Sequence, residues 1–260
     1  MHISYKVGDG VEMQFDDGAV TFRSNGGTLW PDWPEKAGIK RDDVKSVCVE
    51  EGKVYLTKDY KVFNLNKEAF EGLTSAVSIN ISGFDASRVI TMNRMFANCR
   101  SLKTLDLSGF DTSHVIDMSY MFEGCSGLRN LNLSSLDTSS VTDMRGMFNW
   151  CQNLTGLDLG NFDTSNVTDM SNMFRRCLNL QELNLSMFNT SKVTNTEYMF
   201  CDCWELTKLD LSSFDMSNIK NMRYMFAECK KLKKIIMNAV VNSDTNINGI
   251  FWGCSAEITG

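Results

Sequence analysis

FDTSNVTDMSNMFRRCLNLQELNLSM, residues 162–187, decides how the rest of the chain is read. The same 26-residue pattern runs in register, without gaps, from Phe84 to Ala239, with copies starting at Phe84, Phe110, Leu136, Phe162, Phe188 and Phe214. A seventh, broken copy follows, in which Ile250, Phe251 and Cys254 take the places of the motif Met, Phe and Cys one residue early. Self-similarity at such a period is the signature of a solenoid, in which each unit packs only on its neighbours.

Each copy has two halves. The first reads L-x-x-L-x-L, as at Leu102, Leu105, Leu107 and at Leu154, Leu157, Leu159, with degenerate versions at Val44, Val47, Val49 and at Ala76, Ile79, Ile81. This alternation predicts a short strand with one buried face, repeated as about eight parallel strands. The second half reads S-x-V-x-x-M-x-x-M-F, as at Ser165, Val167, Met170, Met173 and Phe174. Its spacing predicts a helix of two to three turns from near Ser165 to before Cys177, with Asp117, Asp143 and Asp169 in the first turn, where the dipole favours a carboxylate. Strand, turn, helix and turn make one coil of a right-handed solenoid.

The Met and Phe columns (Met92, Met118, Met144, Met170, Met222; Phe96 to Phe226) share the inward phase and read as core. Thr196 breaks the Met column and is expected to weaken its copy. Cys99, Cys125, Cys151, Cys177, Cys203 and Cys229 also recur once per copy, so they read as buried, reduced packing residues and not as a disulfide scaffold. Zinc is disfavoured because the histidines are His2 and His114 alone and no paired CxxC is present.

Before the repeats, Ile3, Tyr5, Val7, Val11, Met13 and Phe15 alternate up to Asp16-Asp17-Gly18, which predicts a β-hairpin with Ala19 to Phe22. It reads as an N-terminal cap or, alternatively, a small binding module. Asn25-Gly26-Gly27 reads as a turn, and the tryptophans of Trp30-Pro31-Asp32-Trp33-Pro34 as plugs for the cap. The division is therefore residues 1–43 as hairpin and aromatic cap, 44–83 as degenerate first repeats, 84–239 as six repeats and 240–260 as a truncated last repeat.

A net charge of −6 argues against a nucleic-acid protein, with Lys230-Lys231-Leu232-Lys233-Lys234 read as a solvated edge. No stretch approaches a membrane span, and the N-terminus lacks the apolar run of a secretory leader, which leaves a cytoplasmic protein or a mature chain with its leader removed. No catalytic motif stands out and the repeats offer no convergent acid, base or nucleophile, so neither an enzyme nor a cofactor is expected.

Residues flanking the buried leucines point outward, in a middle column of Asp106, Asn132, Asp158, Asn184 and Asp210. The Asp/Asn alternation reads as a polar ladder in which each Asn amide donates to an Asp on either side and like charges stay apart. A row of cations is the alternative, with carboxylates sparse for it. That face lacks the Tyr, Trp and Arg anchors of protein interfaces. Tyr120, Tyr198 and Tyr224 share one phase of the other half, and Trp150 and Trp204 interrupt small or polar columns there. These five, together with Asp106, Asn132, Asp158, Asn184 and Asp210, are the candidate partner-binding residues, with the aromatics the first place to look, against the alternative of scattered surface aromatics.

L-x-x-L-x-L is the leucine-rich-repeat pattern, and F-D-T-S-x-V-x-x-M-x-x-M-F-x-x-C-x-x-L-x-x-L-D/N-L-S is more specific. It resembles the BspA-type leucine-rich-repeat surface proteins, whose repeat is common in mycoplasma lipoproteins, over residues 84–239, with a similar lead-in from Trp33 to Leu73. The resemblance implies an α/β solenoid with a parallel β-sheet on one face and short helices on the other. It implies a non-enzymatic bacterial adhesion or interaction protein at the cell surface or secreted, with a protein or glycan partner. The alternatives are an intracellular scaffold or effector that docks a protein and, third, a structural spacer. An open last strand predicts end-to-end self-association.

Overall fold

The computed structural model describes residues 4–56, 69–238 and 241–260. His2, Ile3, residues 57–68 of the expected 44–83 segment, and residues 239–240 where the last full copy meets the truncated one lie outside them. Alternating apolar residues and the left-handed pair Asp17-Gly18 (φ 43° and 88°) form the hairpin of β1 (Ser4–Asp16) and β2 (Ala19–Leu29). Asn25–Gly27 continues β2 instead of turning: a register shift at Asp9/Val11 absorbs the irregularity, and Gly27 lies against Gly10 too closely for any side chain.

β2 then pairs in parallel with β3 (Ser46–Glu51) through residues 19–23 and with β4 (Val54–Leu56) through residues 27–29. From these two strands the sheet continues to β5 (Ser78–Asn80), β6 (Phe84–Asp85) and β7 (Thr104–Asp106) in the order β6-β4-β2-β3-β5-β7. A second parallel sheet near the C-terminus has β8 (Lys208–Asp210), β9 (Lys234–Ile236) and β10 (Glu257–Thr259) in the order β10-β9-β8. The expected set of about eight equivalent strands is thus interrupted. Residues 130–132, 156–158 and 182–184 occupy the same place in their coils, but turns at both ends leave single inter-coil bonds, such as Gln181 N–H to Thr155 O at 3.2 Å, and no ladder.

The expected short helices are replaced by stacked tight turns. Among the described residues the helices are α1 (Trp33–Lys36) and a 3-10 turn at Arg41–Asp43, both outside the repeats. In the copy 162–187, Met173, Arg175 and Cys177 donate to the carbonyls three residues back at 3.1–3.2 Å, while Met170, Asn172, Phe174 and Arg176 donate to Asn195, Glu197, Met199 and Cys201 of the next coil at 2.8–2.9 Å. Asn172 and Arg176 are left-handed (φ 59° and 60°), and the pair recurs in other copies as Arg94/Asn98, Tyr198/Asp202 and Tyr224/Glu228. These reversals send alternate N–H groups along the solenoid axis, where a helix would send every one to residue i−4. The M-x-x-M-F-x-x-C spacing turns the same residues inward in either conformation.

The remaining corners are Asx turns. Asp163 Oδ1 accepts the Ser165 N–H at 2.9 Å, and Asp169 Oδ1 accepts the Ser171 N–H at 2.8 Å. Asp117 and Asp143 do the same for Ser119 and Arg145. These carboxylates therefore hold a turn and not the start of a helix.

Phe70, Phe96, Phe122, Phe148, Phe174, Phe200, Phe226 and Phe251 stack through the centre with centroids 5.4–5.8 Å apart and planes within 13°. Phe251 thus takes its place in the broken copy, and Phe22, Trp33 and Phe84 close the other end edge-to-face. Trp33 is fully buried, its indole N–H on Ala69 O at 2.8 Å, whereas Trp30 is half-buried. Thr196 is satisfied despite its burial, with its hydroxyl on Asn221 O at 3.3 Å and Met225 Sδ at 3.5 Å, so the expected weak point is not visible in its contacts.

All nine cysteines are free thiols. The column cysteines are buried, and each S–H donates to the Phe carbonyl of the preceding coil, as Cys151 does to Phe122 O at 3.0 Å and Cys177 to Phe148 O at 3.2 Å. Burial pushes Cys99 and Cys177 up to about 12, and raises the other column thiols as well. The thiolate is the reactive form. Titration of the native protein with Ellman's reagent is therefore expected to reach at most the half-buried Cys48 and Cys254, and all nine after denaturation. Rapid native reaction of four or more thiols would contradict this packing.

Candidate interaction surface

The left-handed turns place the aromatic candidates. A left-handed residue at the first position of each pair carries Tyr120, Tyr198 and Tyr224, and at the second position Trp150. Their side chains lie along the axis against the next coil. The Tyr120 ring covers Gly146, where an added Cβ would lie 2.4 Å from the ring, and Tyr224 covers Gly249 in the same way. Tyr198 instead meets Tyr224, stacked at 5.2 Å. The tyrosines are half-buried, while Trp150 and Trp204 stay exposed at 39% and 38%.

Cations accompany each of the five. Arg176 stacks on Trp150 at 4.1 Å, Arg175 on Tyr198 at 4.7 Å, Arg223 on Tyr224 at 5.0 Å and Arg94 on Tyr120 at 5.9 Å, and Lys230 Nζ sits 3.9 Å from the Trp204 ring. The aromatics thus share one turn-built face. The arginines were not singled out in the sequence, although Arg175-Arg176, one copy after Trp150 and one before Tyr198, carried the signal.

Asp106, Asn132, Asp158, Asn184 and Asp210 lie in the strand half and are not brought to the aromatics. They are exposed, but the expected amide ladder is absent: among the described residues no Asn of this column donates to an Asp of the next. Each Oδ1 instead accepts the N–H two residues on, from Ser108, Ser134, Gly160, Ser186 and Ser212 at 2.9–3.1 Å. A two-residue Asx turn is local and wins over a donor one coil away. No group of three or more His, Cys, Asp or Glu among the described residues is placed to hold a metal ion.

A second Asx column, Asp111, Asp137, Asp163 and Asp215, gives a pH dependence. The serine hydroxyl and amide two residues on hold these carboxyls below their usual range. A depressed native pKa contributes stability above the unfolded carboxylate range and loses it as pH falls through the native value. Thermal midpoints are therefore expected to be level from pH 7 to about 5 and to fall below about pH 4. The double variant Asp137→Asn, Asp163→Asn should flatten that acid limb, since Asn189 already makes the same turn with Ser191. An unchanged limb would assign the acid sensitivity elsewhere.

One cleft of about 560 Å³ opens on the turn face, lined by Arg94, Asn98, Arg100, Glu123, Gly124, Ser126, Trp150 and Gln152. Arg94 is clamped by Glu71 at 2.9 Å and Glu123 at 2.5 Å, and Glu123 also accepts the Asn149 amide at 3.0 Å. The polar lining of this cleft escaped the sequence reading; Gly124, alone between Asn98 and Trp150 in its column, was the available sign.

The comparisons with known proteins bear on this repeat. A family model described as Mycoplasma protein of unknown function, DUF285, matches residues 63–157 and again 149–259, together most of the chain. The chain belongs to this family. The BspA-type resemblance of the 26-residue repeat thus stands as family membership. No curated protein matches. Among solved structures, a leucine-rich repeat protein from Eubacterium ventriosum is similar at 14% identity and TM-score 0.39, over 100% of this chain and 85% of that one. A leucine-rich repeat protein of T. pallidum follows at 16% and 0.37, over 91% and 82%. A leucine rich cell surface protein from Faecalibacterium prausnitzii gives 15% and 0.38, over 90% and 70%. At these scores the similarities carry no geometric argument, and the assignment rests on the family match.

Proposed function

We propose that this family member is a non-enzymatic bacterial interaction and adhesion protein whose stiff repeat scaffold presents the turn face to a host or bacterial protein or glycan. The observation that carries this is the set of exposed or half-buried aromatics backed by cations on that one face, Trp150 on Arg176 above all. Aromatic and arginine side chains held rigid supply contact area at little entropic cost, which suits an interaction surface. Among the described residues no helix is long and apolar enough to cross a membrane. The reading places the protein at the cell surface or outside the cell. Residues 1–43 serve in it as the cap on the first coil, and the outer edge of β10 as a point of end-to-end self-association.

Protease treatment of intact source cells tests the placement. Digestion without lysis is the expected result and justifies a screen against host proteins and glycans. Protection until lysis would sink the adhesion reading and turn the search to an intracellular docking partner. A mass that stays monomeric at high concentration would remove the end-to-end contact.

A further inference from the structure

We infer that the cleft at Gly124 and Trp150 is a glycan site that takes one pyranose ring against the face of Trp150 turned away from Arg176. This rests on the interaction reading above and names a ligand class for it. The Trp150 indole has Arg176 on one face at 4.1 Å. The residue before it in the column is Gly124 at φ +69°, which has no side chain to lay against the indole, and Trp150 and Gly124 line the same cleft. The next residue back, Asn98, leans over Gly124, its Oδ1 2.9 Å from where a Cβ would stand. Positions 98 and 150 are two coils apart, roughly 9.6 Å at the ~4.8 Å spacing of stacked chains, room for one ring held about 3.7 Å from each neighbour.

The chemistry of the rim selects the ring. Asn98, Ser126, Gln152 and Arg100 present amides, a hydroxyl and a forked guanidinium, the groups that hydrogen-bond to hydroxyls, while the negative face of the indole attracts the C–H side of a sugar. Glu71 and Glu123 are both committed to Arg94, so Arg100 is the cation left at the rim to bond a ring hydroxyl or a sugar carboxylate. A guanidinium from a protein partner would also meet the two arginines.

Calorimetric titration with tetrasaccharides of glucose, galactose, mannose and N-acetylglucosamine, and with tetragalacturonate, tests the site. At least one of these probes is expected to bind, and Trp150→Asn and Gly124→Asn each to weaken it tenfold or more. Asn suits both positions because the left-handed conformation already carries it at Asn98 and Asn172, so the fold should persist by thermal melting. Equal binding by wild type and both variants would overturn the assignment. Absence of any binding would overturn it too, while leaving the protease result on intact cells to decide the broader reading separately.

Discussion

Phe174→Ala is expected to lower the unfolding free energy by about 3–5 kcal/mol, the range for truncating a fully buried aromatic in a core that relaxes only partly. The ring is wholly buried between Phe148 and Phe200, 5.7 Å from each centroid with planes 5° and 9° from parallel. Its removal leaves a void facing both neighbouring coils, so both interfaces of that repeat weaken together. In a near one-dimensional array this has a second consequence: the two halves should begin to unfold separately. Urea unfolding followed by circular dichroism reads both, as a lower midpoint and as a shallower or biphasic transition. A loss under about 1 kcal/mol would mean that the column closes over the gap and that stacking is incidental.

Thr164→Val is expected to cost about 2–3 kcal/mol although it changes the side-chain shape little. The Thr164 hydroxyl donates to Asn189 O at 3.0 Å and accepts from Asn189 N–H at 2.8 Å, standing in for the ladder that the corner cannot form. Thr112, Thr138 and Thr190 repeat the same double bond to Asp137, Asp163 and Asp215. Valine would leave both backbone groups without a partner, at about 1–3 kcal/mol for each group kept from water, and the exposure of Asn189 tempers the total. Thr164→Ser keeps both bonds and loses one methyl, about 0.8 kcal/mol. The Val and Ser variants compared by chemical denaturation separate hydrogen bonding from packing. Equal losses would assign the effect to the methyl. The end copies carry Ala86 and Met216 at this position, both buried without the hydroxyl.

The repeat was legible because a period of 26 residues forces equivalent residues into columns, and a column's chemistry states its side: Phe, Met and Cys inside, Asp106 to Asp210 outside. The second half of each copy was misread because Met170, Met173, Phe174 and Cys177 share spacing with a helix stripe and with two stacked turns. Apolar period reports which residues face inward and not which hydrogen bonds hold them there. The left-handed residues were hidden for a related reason. Tyr, Trp, Arg and Glu occupy positions where glycine would be the usual sign, and among the described residues only Gly72, Gly124, Gly146, Gly249 and Gly253 show it.

The aromatic candidates were visible as interruptions of columns, but their environment was not. That Trp150 keeps one face free depends on three residues a coil apart, Asn98, Gly124 and Trp150, and on the direction in which each side chain leans. The sequence by itself determined the solenoid, its coil number, its core and its family, because those follow from periodicity and burial, which every copy states again. Only the tertiary structure decided that tight turns replace helices, that the Asp and Asn columns serve their own corners, and that a cleft opens at Gly124. Those features depend on partners about 26 residues away that compete with partners two or three residues away, and one copy read alone cannot show which of them wins.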